Sequence, residues 1–270
     1  MSAGAYIHGH SPEEQARLVD QAEYWRDRLI LPELAYREGE RVLEIGCAAG
    51  ASLGVIGGSF AGVELAGLDR EPAQLAFAQR HLAALGLDVE LRQGDAAALP
   101  WPDASFDHVF IMWLLEHLSE PHGVLREALR VLAPGCDLVV IETDYTTFRT
   151  FPESEDFAYL ARAQHDLFAL RGNPIVGRQL GTALTTCGFQ RVRCAPWGFH
   201  FFQGDDADTL RAHAEYVAGF LEPQIAQMVD CLGRERELLE HGLAFLRGLI
   251  DKPEAALTQT VYRASARRPE

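Results

Sequence analysis

Long apolar runs are missing from this 270-residue chain, and residues 1–10 lack the basic-then-apolar opening of a secretory leader. A membrane-spanning helix needs about 20 consecutive apolar residues, so none is expected, and neither is export. Cysteine is sparse: Cys47, Cys136, Cys187, Cys194 and Cys231 are scattered, with no C-x-x-C pair. That spacing encodes neither a zinc site nor a disulfide framework, and it fits a reduced, cytoplasmic setting. Lysine is almost absent, Lys252 being the single one. The 24 basic residues face 39 acidic ones, leave a net charge of −15, and form no dense stripe. Binding of DNA or tRNA depends on neutralised phosphates, so a nucleic-acid partner is not expected. Internal repeats and low-complexity tracts are lacking too.

What is present is ample core material. Apolar residues make up 48% of the chain, enough for one large domain of this length. Residues 11–37 open with Ser11-Pro12-Glu13-Glu14 and place Leu18, Ala22, Trp25 and Leu29 at helical spacing, which predicts one or two helices. Strand-like runs then alternate with helical patterns: 42–45, 63–68, 89–91, 108–112 and 138–141, with helices between. Such a rhythm means an α/β fold with a parallel sheet covered on both faces. After residue 141 the rhythm changes. A loop is expected over 143–153, helices over 154–170 and 177–187, and a strand from Phe189. A helical insertion is expected at about 205–250, with Ile225, Met228, Val229, Leu232, Leu239, Leu243 and Leu246 along one face. Leu257 to Ala264 reads as a last strand. The expected organisation is one domain over 1–270: a helical cap (1–38), a binding core (39–145) and a substrate-side half (146–270).

The chemistry gathers where strands end. Arg41-Val-Leu-Glu-Ile-Gly-Cys-Ala-Ala-Gly50 runs an apolar strand through an acid, Glu44, into a glycine turn that can open a helix. Gly46 and Gly50 permit close backbone approach to a ligand, and the following helix aims its free N–H groups there. The second strand ends in Gly67-Leu-Asp69-Arg70 and the third in Gly94-Asp95-Ala96. A carboxylate at Asp69 can accept both hydroxyls of a ribose, and Asp95 can accept from an exocyclic amine such as that of adenine. Trp113-Leu-Leu-Glu116-His117-Leu follows the fourth strand.

With these residues the chain resembles the class I S-adenosylmethionine-dependent methyltransferases of the ubiquinone/menaquinone-biosynthesis type. The likeness covers about residues 40–145. Glu44 to Gly50 stand as the family's Glu-x-Gly-x-x-x-Gly loop, Asp69 as its ribose acid, and Asp95-Ala96 as its adenine-contacting pair. Two positions depart from the pattern: Ala48 replaces a middle glycine, and Ile111 stands where many relatives have serine. The resemblance implies a Rossmann-like seven-stranded sheet of order 3-2-1-4-5-7-6 with strand 7 antiparallel. It implies S-adenosylmethionine as cofactor and no metal. Expected cofactor contacts are Tyr6, Glu44, Gly46, Cys47, Ala48, Gly50, Asp69 and Arg70. Gln74, Gly94, Asp95, Ala96, Ile111 and Met112 complete that set, with Tyr6 as a lid.

Methyl transfer from a sulfonium needs alignment and exclusion of water more than covalent help. A base matters only for a hydroxyl or protonated-amine acceptor. His200, His117 and Tyr6 are the catalytic candidates, and His117 reads equally as a helix-end cap. Trp113, Tyr145, Phe148, Trp197, Phe199 and His200 are the candidates for an acceptor pocket. If 196–202 is extended, Trp197, Phe199 and Phe201 share one face while His200 faces away with Phe202. Those aromatics serve equally well as core beneath the insertion. The expected acceptor is a small planar or aromatic metabolite, methylated on O, N or C, and the protein a monomer or homodimer. A protein acceptor, or a non-catalytic adaptor of the same fold, stays open. A nicotinamide-dependent oxidoreductase would carry G-x-G-x-x-G, whereas this turn reads Gly46-x-x-x-Gly50.

Overall fold

The computed structural model describes residues 11–204 and 207–270. Tyr6 therefore lies outside the described residues. The start signal at Ser11 operates as a cap: its hydroxyl accepts the Glu14 N–H at 3.2 Å, and α1 runs Pro12–Trp25. A π-helical turn, Arg26–Ile30, continues it and buries Leu29 and Ile30. Alternation then follows as expected, through β1 (Arg41–Ile45), α2 (Ala51–Ser59), β2 (Glu64–Asp69), α3 (Pro72–Ala84), β3 (Val89–Gln93) and β4 (Phe106–Met112). A 3-10 turn, Leu115–His117, leads to α4 (Pro121–Val131) and β5 (Leu132–Thr143). Beyond these lie β6 (Arg149–Phe151), α5 (Glu155–Ala169), α6 (Val176–Thr186) and β7 (Gln190–Phe202). The insertion is three helices, α7 (Ala207–Leu221), α8 (Ile225–Leu232) and α9 (Arg236–Gly248), before β8 (Ala256–Arg267).

The sheet order is β3-β2-β1-β4-β5-β8-β6, with β7 also paired to β8. Strands β1 to β5 pair in parallel, and β8 runs antiparallel to both β5 and β7. This is the order the resemblance implied, plus one extra strand. The expected loop over 143–153 contains that strand. Only Val261–Arg267 of β8 pairs with β5, which leaves its first residues an open edge that Arg149–Phe151 fills.

Side-chain alternation along the strands decides what reaches each face. Leu43, Ile45, Val109, Ile111, Leu138 and Val140 pack with α4 and α6 in one cluster. Val42, Phe110, Met112, Val139 and Ile141 pack on the opposite side with α1, α2 and α3. Glu44 belongs by alternation to this second face. A third cluster joins α5 to the insertion through Leu160, Phe168, Val217, Met228, Leu239 and Leu246, so the insertion's predicted apolar stripe is its buried side.

Candidate active site

Strand β1 delivers Glu44 buried between β2 and β4, opposite Gly67 and Phe110. Burial pushes its carboxyl up to about 8, against the Ser52 hydroxyl and Leu53 N–H, which favour its charge; nearby Asp69 adds to the rise. Among the described residues no partner reaches Glu44 Oε2. Immediately beyond, the chain turns sharply, with the Gly46 and Cys47 N–H groups donating to the Leu68 carbonyl at 2.8 and 3.0 Å. Gly46 and Gly50 take left-handed φ of 79° and 71°, and Ala48 is left-handed too at 42°. For alanine that region carries strain, so its methyl group costs backbone energy as well as space.

Asp69 at the β2 tip braces this turn. Its Oδ2 accepts the Ala48 N–H and its Oδ1 the Glu71 N–H, both at 2.9 Å. Gln74, in the first turn of α3, is buried, and neither atom of its amide has a partner among the described residues. At the β3 tip Asp95 is exposed and accepts the Ala97 N–H at 2.9 Å. Gly94 ties that tip to the previous one by donating to the Asp69 carbonyl at 3.0 Å.

Past β4 the backbone turns through Trp113, at φ 50°, whose indole N–H donates to the Thr143 hydroxyl at 2.9 Å. Glu142, fully buried at the end of β5, then gathers the next turn. Its carboxyl accepts the Leu114, Leu115 and Glu116 N–H groups at 3.0, 2.7 and 3.2 Å. Glu116 is 2% exposed and accepts the Tyr145 hydroxyl at 2.8 Å. His117 stacks on Phe168 with ring centroids 5.3 Å apart, and burial, helped by the Arg70 charge, drops it to about 4. His117 is thus neutral at physiological pH.

The glycine turn and the turn past β4 meet in a cleft of about 910 Å³, its open mouth included. Its floor is the glycine turn with Glu44, Gly46, Cys47 and Ala48. Met112, Trp113, Glu116 and His117 line the β4 side, with Tyr145 and Phe148 beyond. Its roof comes from two distant segments, Arg17 and Gln21 on α1 and Tyr216 and Phe220 on α7. Those helices lock together: Tyr24 stacks on Tyr216 at 5.1 Å, and its hydroxyl lies 2.7 Å from His213 Nδ1.

Several candidates lie elsewhere. Ile111 is fully buried in the α4–α6 cluster, because alternation turns it away from the cleft and sends Met112 there instead. His200 is exposed and bonded through Nδ1 to the Thr258 hydroxyl at 2.7 Å, so it does not serve as a base in this cleft. Trp197 and Phe199 do share a face, but they pack as core under the cap, Phe199 against Trp25 at 4.9 Å. Gly50 packs against Leu82 and Ala78 behind the turn. Arg70, Gly94, Asp95 and Ala96 stand at the β2 and β3 tips, outside the enclosed part of the cleft. Sequence reasoning passed over Glu116, Arg17, Gln21, Tyr216 and Phe220. An acid ending the apolar run Val139-Val140-Ile141-Glu142 was the available signal for the carboxylate pair.

Comparison with known proteins agrees with this geometry. Residues 43–140 match the model described as "Methyltransferase domain". Over these residues the chain is similar to the class I S-adenosylmethionine-dependent methyltransferases of the quinone-biosynthesis-like kind. It is similar to a demethylmenaquinone methyltransferase of Thermus thermophilus, 37% identical over 44% of this chain and 53% of that protein. It is also similar to ajmaline N-methyltransferase of Rauvolfia serpentina, 30% identical over 52% of this chain and 47% of the relative. The chain thus spans about half the length of the curated relatives it matches. A methyltransferase solved with the Haloferax volcanii Trm112 methyltransferase activator shares the fold, with TM-score 0.60, 17% identity and full coverage of both chains. The residues of this site suit an adenosyl sulfonium: a left-handed glycine turn, an acid at the β2 tip, and the Glu44 Oε2 and Gln74 amide, which have no partner among the described residues. Among the described residues no group of three or more His, Cys, Asp or Glu could hold a metal.

Proposed function

We propose that this protein transfers a methyl group from S-adenosylmethionine to an O, N or C nucleophile of a small, planar or aromatic metabolite. The observation that carries the reading is the cleft itself, where a glycine turn and a buried acid meet a pocket walled by Tyr145, Phe148, Tyr216 and Phe220. Such walls suit a flat apolar acceptor, and relatives named for demethylmenaquinone and ajmaline agree with that shape. When bound, S-adenosylmethionine supplies an already activated methyl on a positively charged sulfur.

The chain's own residues then have distinct duties. Asp69 holds the ribose diol, and Asp95 meets the adenine amine from the β3 tip. Glu44 and the turn at Gly46 to Ala48 hold the amino-acid end. Met112 and Trp113 floor the space between donor and acceptor, and the joined α1–α7 roof keeps water out. Residues 1–270 work as one unit, with residues 1–38 and the insertion as cap, and Tyr6 contributing to the lid. The working setting is the cytoplasm, with no nucleic-acid or membrane partner; no described helix is long and apolar enough to cross a membrane.

Calorimetry with S-adenosylmethionine, S-adenosylhomocysteine and NAD tests the donor. Binding of the first two and not the third is expected, and NAD binding alone would overturn the reading. Turnover is then followed as S-adenosylhomocysteine formed with a panel of quinols, phenols and cyclic amines. Donor binding with no turnover on any small acceptor, but methylation of a protein in an extract, would move the acceptor to the macromolecular class.

A further inference from the structure

We propose that Glu116 is the general base of the reaction, so that the acceptor is methylated at a hydroxyl oxygen or at a nitrogen that carries a proton. The proposal rests on the methyl-transfer reading of the cleft and names the kind of nucleophile it serves.

Glu116 is one of the cleft's walls although only 2% exposed. Its Oε1 is engaged by the Tyr145 hydroxyl at 2.8 Å, while Oε2 has no hydrogen-bond partner among the described residues. A buried carboxyl oxygen left open loses solvation without return unless a ligand supplies a donor. The arrangement behind it explains its position. Glu142, on the sheet side, anchors the backbone N–H groups of residues 114–116, and so fixes where the Glu116 side chain starts. Two buried carboxyls this close do not both ionise. Burial and the Glu116 charge lift Glu142 well above the carboxylate range, against the three backbone N–H groups that favour its charge. Glu116 rises to about 8 by burial, held back by the Tyr145 hydroxyl, the Thr143 N–H and the Glu142 side chain. A base poised near working pH is what proton transfer in a transition state favours.

Other groups around it do not compete for that duty. His117 is held neutral at about 4, and Tyr145 and Tyr216 are raised and keep their protons. Arg17 at the mouth and Arg70 at the β2 tip carry the positive charge nearby, with Glu44 on the floor and Asp69 close to Glu44. In the step, a lone pair on the acceptor oxygen or nitrogen forms the new bond to the methyl carbon. The carbon–sulfur bond breaks, its electron pair stays on sulfur as a neutral thioether, and the acceptor's proton passes to the Glu116 carboxylate.

A positive sulfonium lowers the proton affinity of a carboxyl beside it, and a neutral thioether does not. The test is calorimetry at pH 7.5 in two buffers of different ionisation enthalpy, with S-adenosylmethionine and S-adenosylhomocysteine as ligands. Contacts to ribose, adenine and the amino-acid end are common to both ligands, so any Glu44 response to these contacts cancels in the difference. The methylated donor should release about half a proton more than the thioether, and Glu116→Gln should remove that excess. Tyr145→Phe withdraws a donor that favours the charge, so it should move the pH midpoint of turnover upward and serves if the glutamine variant does not fold. Equal proton release by the two ligands, or an excess surviving in Glu116→Gln, overturns the assignment. Absence of binding by either ligand refutes the methyl-transfer reading itself, which is a separate and distinguishable result.

Discussion

Replacing Glu44 by glutamine should flatten the loss of stability that the unliganded protein shows as pH rises from 6.5 to 8. The folded-state carboxyl sits at about 8, against 4.5 for an ordinary one. Below 4.5 both folded and unfolded chains hold this proton, and the group has no influence. Between the two values the folded state keeps a proton that the unfolded chain has released, so each step up in pH favours unfolding. A full unit in that window is about 1.4 kcal/mol. With titration half complete at the upper end, the wild type should lose about 1.5 kcal/mol from Glu44 between pH 6.5 and 8. Glutamine keeps the size of the side chain and an oxygen for Ser52 and Leu53, but has no proton to release. His117 and His213, lowered to about 4 and 3, act in the opposite direction as they lose protons in the unfolded chain. Their contribution is common to both proteins and cancels. Urea unfolding at four pH values gives the two slopes, and equal slopes would refute a neutral, buried Glu44.

Three further variants test other residues. Asp69→Ala removes an acceptor of two charge-assisted hydrogen bonds to a ribose diol, worth about 3–6 kcal/mol together. Affinity for S-adenosylhomocysteine should fall about 10² to 10⁴-fold, and a loss below threefold by calorimetry would remove the ribose assignment. Ala48→Gly relieves a left-handed alanine and should stabilise the protein by about 0.5–1 kcal/mol after the glycine's extra chain entropy; thermal unfolding that shows a loss would contradict the strained turn. His200→Ala touches only an exposed side chain bonded to Thr258, so donor binding and turnover should both stay within about twofold of wild type. A tenfold drop in kcat would return His200 to the reaction.

The strand tips were legible because their signals are local. An acid before a glycine turn, and acids at the ends of the next two runs, need only a few consecutive residues to read, and Glu44, Asp69 and Asp95 stand at the tips of β1, β2 and β3. Ile111 went astray at the same scale. Whether it or Met112 enters the cleft depends on strand phase, which Val109 in the α4–α6 cluster fixes. Glu116 was in plain view beside His117, yet its partners Glu142 and Tyr145 lie 26 and 29 residues away. Only the pairing of β4 with β5 brings them together. The shared face of Trp197 and Phe199 was readable from period two, whereas the Trp25 ring that covers it comes from the other end of the chain. Strand β6 has three residues, too few for any periodicity to show.

Because the roof joins residues 12–25 to residues 207–221 through the Tyr24–Tyr216 stack, it cannot be transplanted piecemeal. A chimera that exchanges the insertion alone would set a foreign surface against the resident Tyr24, while exchange of both helices would carry the intact seam. New acceptor preferences in this scaffold should therefore arise from paired changes in α1 and α7, with the strands between them left untouched.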